Sequence, residues 1–171
     1  MKIFGLAGWS GSGKTTLIVR LIPEITRRGI GVSTIKHAHH KFDIDRPGKD
    51  SWEHRHAGAT EVLITADKRW ALMHENRDEP EPSLDELIAR LSPVDLLLIE
   101  GFKSWPHDKL VVHRPSVGKS LIGRTDEHVV AIASDAPVEK ASVPVLDLDD
   151  TVAIADFILD HTGLAKERGA A

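Results

Sequence analysis

A chain of 171 residues with 41% hydrophobic side chains has the apolar material for one packed core, and its length suits a single α/β domain. Its 22 basic and 26 acidic side chains leave a formal charge of −4, without the basic excess of a general nucleic-acid binder. There is no cysteine, which excludes disulfides and thiolate metal sites and fits a reducing cytoplasm.

No apolar run approaches the ~20 residues of a membrane-crossing helix. The start "MKIFGLAG" is too short and too weakly charged for a signal peptide. The expectation is a cytoplasmic protein with no membrane and no nucleic-acid partner. "KIFGLA" (2–7) reads as a strand entering a glycine-rich turn. After Lys14, the spacing of Leu17, Ile18, Leu21, Ile22 and Ile25 predicts a helix, stopped by "RRG" and kinked near residues 19–23 by Pro23. "GVSTIK" (31–36) is a second, β-branched strand. From His37 to Ser51 the periodicity vanishes, giving a long polar loop. "WEHRHAGA" predicts a short helix closed by Gly58, and "EVLITAD" with "WALMHE" a hairpin. "NRDEPEP" is solvated surface. "SLDE" is a capping box opening a helix to about Leu91. "VDLLLIEG" (94–101), "KLVVHR" (109–114), "HVVAIASD" (128–135) and "VPVLDL" (143–148) are further strands. Asp149 or Asp150 caps a last helix, "TVAIADFILDH", before a frayed tail over 162–171. The alternation predicts an α/β fold, a mostly parallel twisted sheet with helices on both faces, in one nucleotide-binding domain over 1–161.

The segment from Gly8 to Thr15, "GWSGSGKT", satisfies G-x-x-x-x-G-K-[ST] with a strand before it and an amphipathic helix after it. A flexible Gly/Ser linker has a similar composition but lacks those flanks. In a P-loop, Gly8, Gly11 and Gly13 let backbone N–H groups, with Ser10 and Ser12, converge on phosphate oxygens at a helix N-terminus. Lys14 would reach the β- and γ-phosphates, Thr15 would place its hydroxyl on Mg²⁺, and Thr16 would meet the α-phosphate. A second acid for the metal belongs at the end of a hydrophobic strand, and "LLLIE" supplies Glu100 there. Asp95, at the far end of that strand, reads as structural.

Five of the ten histidines (His37, His39, His40, His54, His56) fall within twenty positions. His37, His39 and His40 with Asp43 or Asp45 are a loose candidate for a transition metal, without the spacing of a tight signature. A switch around the nucleotide is the alternative, built from Lys36, His37, Asp43 and Asp45. In it Asp43 or Asp45 is the candidate to position water. Lys49 and Arg55 are candidates to recruit a phosphate-bearing ligand. "RPSVGKSLIGR" carries Arg114, Lys119 and Arg124, cations of the kind a kinase lid uses, so a P-loop small-molecule kinase or ATP-dependent ligase is the rival reading.

Taken together, "TIKHAHHKFDIDRPGKDSWEHRHAGA", "DLLLIEGFK", "IASD" and "VPVLDLDD", joined to the P-loop, resemble the molybdopterin-guanine dinucleotide biosynthesis protein B (MobB) family over roughly residues 2–160. The resemblance implies a homodimeric protein that binds GTP and Mg²⁺. It implies assistance to a partner guanylyltransferase, MobA, in attaching GMP to the molybdenum–pterin cofactor, with weak GTP hydrolysis at most. The pterin is then the phosphate-bearing ligand for Lys36, His37, Lys49 and Arg55. Guanine recognition needs a carboxylate facing N1–H and N2–H₂. No N-K-x-D occurs, and Asp135 of "IASD" is the base-binding candidate. Trp9, large among small residues, is expected to face a dimer mate or the cofactor.

Overall fold

The computed structural model describes residues 1–38, 42–103 and 105–165. In chain order the elements are β1 (Lys2–Ala7), α1 (Lys14–Thr26), β2 (Val32–Lys36), α2 (Asp50–His56), β3 (Glu61–Ala66), β4 (Arg69–His74), α3 (Leu84–Ala89), β5 (Leu96–Glu100), β6 (Lys109–His113), β7 (Val129–Ser134), β8 (Val145–Asp147) and α4 (Thr151–Thr162). They fall into two compact units, Met1–Ala38 with Pro93–Ala171, and His39–Ser92. No described helix is long and apolar enough to cross a membrane.

The first unit is built on a six-stranded sheet of order β2-β5-β1-β6-β7-β8, with every neighbouring pair parallel. Its inner strand β5 is buried throughout, with Leu96, Leu97, Leu98 and Ile99 inaccessible to solvent, as a strand covered on both faces requires. Alternation divides the sheet's side chains. Phe4, Leu6, Leu96, Leu98, Leu110 and Val112 join Leu17, Leu21 and Ile25 of α1 and Ile154 and Ile158 of α4 in one cluster. Both long helices therefore share one face. On the other, Ala7, Val111, Val129 and Ile132 lie under Leu121, Ile122, Val138 and Val143 from connecting segments. Helix α1 runs through Pro23 to Thr26. The carbonyl that proline leaves without an intrahelical donor is that of Val19, on the exposed side of the helix. Arg28 ties the two helices, bonding Glu24 at 2.7 Å and pairing with Asp156. Asp150 is the cap of α4, its side chain accepting from Ala153 N–H at 2.9 Å. Asp95 has a structural role, accepting from Gly31 N–H at 2.7 Å.

The second unit holds α2, the antiparallel hairpin β3–β4 and α3. The capping box of α3 is present, with Ser83 accepting from Glu86 N–H and the Glu86 carboxylate accepting from Ser83 N–H. The helix stops at Ala89, short of Leu91. Arg90 N–H and Leu91 N–H reach back three residues, to Leu87 and Ile88, so the last turn tightens and closes.

Candidate functional site

Parallel pairing brings the C-terminal ends of the strands to one edge of the sheet, the edge where ligands bind in such folds. Glu100 is in register with Leu6 on one side and Lys36 on the other, and His113 with Ser134. The segment after β1 therefore emerges between Glu100 and the residues that follow β6 and β7.

That segment has the shape of a phosphate cradle. Gly8, Gly11 and Gly13 have φ of 154°, 81° and 98°, values that side chains disfavour. A Cβ on Gly8 would stand 2.6 Å from both Ser12 Oγ and the Val112 carbonyl, so only glycine fits there. Gly13 is the N-cap of α1 and provides no side-chain cap, leaving first-turn N–H groups for a ligand. Ser12 is buried, and its Oγ has no hydrogen-bond partner among the described residues, as expected of a group aimed at a ligand oxygen. Ser10 lies exposed at the turn.

Lys14 bends back over the loop, its Nζ donating to the Trp9 carbonyl at 2.8 Å. Burial holds its ammonium below the usual lysine value; Glu100 works against that, and the charges of Lys103 and Lys36 add to it. Thr15 Oγ1 donates to the Glu100 carboxylate, at 3.0 Å from Oε1 and 3.2 Å from Oε2. Glu100 is 9% exposed, and Lys36 Nζ stands 3.4 Å from it and 3.3 Å from Thr15 Oγ1. Threonine hydroxyl, carboxylate and phosphate oxygens are the hard-oxygen donors that Mg²⁺ takes, so these residues fit the ion the P-loop implies. His37 follows β2, donating its backbone N–H to the Glu100 carbonyl at 2.9 Å and resting its ring on Phe102.

Beyond Thr15 an open pocket of about 380 Å³ is lined by Gly11, Gly13, Thr16, Arg20, Arg114 and Asp149 among others. Asp135 faces Arg114 across 3.4 Å. Trp9 donates its indole N–H to the Ser120 carbonyl at 2.8 Å, with Lys103 Nζ at 4.7 Å and Lys119 Nζ at 5.9 Å from its ring. Its polar end is thus satisfied within its own chain, in the basic segment after β6.

Asp43, Asp45 and Arg55 lie together in the second unit. Arg55 donates to Asp45 twice, at 2.7 and 3.2 Å, to Asp43 at 2.8 Å and to Glu75 at 2.6 Å. Arg55 holds the Asp45 carboxyl below its usual value, and its bonds to Asp45, Glu75 and Asp43 raise the guanidinium further. Lys49 is the N-cap of α2 and gives it no side-chain bond. His39 and His40 lie outside the described residues. Among the described residues no group of three or more His, Cys, Asp or Glu is placed to hold a metal ion. Sequence reasoning did not single out Arg20 and Asp149 for the pocket, or Lys103 beside Trp9. They converge only through the sheet order.

The chain is 44% identical to the molybdopterin-guanine dinucleotide biosynthesis adapter protein of Escherichia coli K12, over 99% of this chain and 97% of that protein. The adapter protein of Haemophilus influenzae is 45% identical, over 92% and 88%. The crystal structure of Bacillus subtilis MobB superposes with a TM-score of 0.75 at 26% identity, covering 95% of this chain and 98% of that one. A crystal structure of molybdopterin-guanine biosynthesis protein B gives 0.73 at 29% identity, over 93% and 99%. The family model for molybdopterin guanine dinucleotide synthesis protein B matches residues 3–135, and the chain belongs to that family.

Proposed function

We propose that this protein is a GTP–Mg²⁺-binding adapter of molybdopterin-guanine dinucleotide biosynthesis. It works as a cytoplasmic homodimer that assists a partner guanylyltransferase, MobA. The observation that carries the nucleotide reading is the Thr15–Glu100 contact at 3.0 Å, set at the mouth of a loop where only glycine fits. The loop N–H groups and Lys14 bind the phosphates, and Thr15 and Glu100 hold the metal. Bound Mg²⁺ would neutralise charge on the β- and γ-phosphates. Slow hydrolysis is expected because Asp43 and Asp45, the acids suggested for positioning water, are engaged by Arg55. Lys36, which pairs with Glu100 at 3.4 Å, would turn to a second phosphate-bearing ligand such as the pterin when one binds.

The base falls to Asp135 or to Asp149. Asp149 is favoured because it lines the pocket beside Thr16 and Leu148, which Asp135 does not; each carboxylate faces an arginine at 3.4 Å, Asp149 facing Arg20 and Asp135 facing Arg114. Titration with GTP and ATP, with and without Mg²⁺, tests the reading. Tight GTP binding with slow turnover is expected. Lys14→Ala should abolish triphosphate binding. Glu100→Gln should weaken binding with Mg²⁺ more than without it. Asp149→Asn should erase the GTP-over-ATP preference that Asp135→Asn retains. A preference for ATP, with fast turnover once a small acceptor is added, would replace the adapter with a kinase.

A further inference from the structure

We propose that Arg114 is a phosphate-contact residue of this site, at the α- and β-phosphate end, and that Asp135 is the residue that positions it. The proposal rests on the P-loop being a nucleotide site.

The placement follows from the sheet. Strand β6 neighbours β1, and its Val112 carbonyl lies 2.6 Å from where a Cβ on Gly8 would stand, so β6 ends against the P-loop. Arg114 leaves that end with its guanidinium over the loop. Its Nη2 is 3.8 Å from the Cβ position of Gly13, and it lines the same pocket as Gly11 and Thr16. Lys14, Lys36 and Glu100 cluster at the Thr15 side, so Arg114 approaches the phosphate chain from the opposite side.

Its hydrogen-bond inventory points the same way. A guanidinium carries five donors in a planar fork that suits phosphate oxygens. Among the described residues Arg114 has one ion pair, from Nη1 to Asp135 Oδ2, and at 3.4 Å it is longer than the 2.7–2.9 Å of a charge-assisted hydrogen bond. Its Nε is buried and makes no hydrogen bond among the described residues. A buried donor without a partner is costly, and a turn of the guanidinium onto an anion in this pocket would relieve that cost. Asp135 follows β7, the strand beside β6, with His113 in register with Ser134, so its carboxylate restrains the guanidinium from behind.

The test is calorimetric titration of the full chain with GTP, GDP and ATP, each with Mg²⁺, and a thermal melt of every variant. Arg114→Gln is expected to weaken all three nucleotides to a similar extent, on the order of 10- to 100-fold, the worth of a hydrogen bond to a charged group. Wild-type affinity in Arg114→Gln, while Lys14→Ala loses the triphosphates, overturns the Arg114 assignment. Unchanged binding in Lys14→Ala overturns the P-loop reading itself. Should glutamine disturb the fold, Arg114→Lys keeps the charge but not the fork. It is expected to lose several-fold, and full affinity in that variant overturns the forked contact. Asp135→Asn should weaken GTP and ATP alike and add nothing in the Arg114→Gln background. A loss confined to GTP, or the same loss in both backgrounds, overturns the positioning role.

Discussion

His107 presses its imidazole onto the backbone of Gly5, so closely that a Cβ there would stand 2.3 Å from Nε2. Both ring nitrogens are buried and without hydrogen-bond partners among the described residues. Burial, with the charges of Lys109 and His128, lowers its pKa to about 4. Unfolded, the same ring titrates near 6.5. The unfolded chain therefore binds a proton between those values while the native protein does not, and stability falls as pH drops through that window. The loss should reach about 1.4 kcal/mol per pH unit at most, the limit for one proton. Denaturant melts from pH 7 to pH 4 check this, and His107→Gln should flatten the decline. Equal slopes in the two proteins would show that the native ring takes up the proton. The further loss below pH 4 should persist, since Asp108, held low by its bond to His161, stabilises only while ionised. None of this was legible in the sequence, because the Gly5 contact is made by strand pairing and not by spacing. The P-loop was legible because its glycines, lysine and threonines act within nine consecutive positions.

The hairpin β3–β4 illustrates a different division of roles. Val62 and Met73 are opposite one another and buried, at 8% and 7% exposure. Leu63, Leu72 and Trp70, on the other face by alternation, are 59%, 44% and 67% exposed. A two-stranded ribbon with an open apolar face is marginal alone, and patches of this kind mark interfaces. If the proposed homodimer forms, this face is its expected contact. Replacing Leu63 and Trp70 together by serine should convert a sedimenting dimer into a monomer without changing GTP affinity. A variant that stays dimeric places the interface elsewhere. The elements themselves were readable from local signals, the Ser83 capping box and the β-branched run of β2 among them. The engagement of Asp43 and Asp45 by Arg55 was not readable. Acids and an arginine in one polar stretch are equally compatible with an open phosphate site and with a closed ion-pair cluster.

At the level of the whole molecule, the parallel sheet followed from strands alternating with helices. The strand order did not, and the order is what matters for the site. It sets β1 between β5 and β6, bringing Glu100 to one side of the P-loop and Arg114 to the other. It also joins Trp9 to Ser120, 111 positions away. The same order has a consequence for how the protein is made. Strands β1 and β2 leave the ribosome first, yet neither pairs with the other; β2 adjoins only β5, and β1 only β5 and β6. Synthesis must pass the whole of His39–Ser92 before β5 is available, on the order of seconds at ordinary translation rates. For that interval the nascent P-loop segment has no sheet to belong to. Ribosome-bound chains ending near residue 90 should be cut within β1 by a protease, and chains with β5 and β6 outside the exit tunnel should resist. Protection of the shorter chains would mean that another contact, or a chaperone, shelters the first strands until their partner arrives.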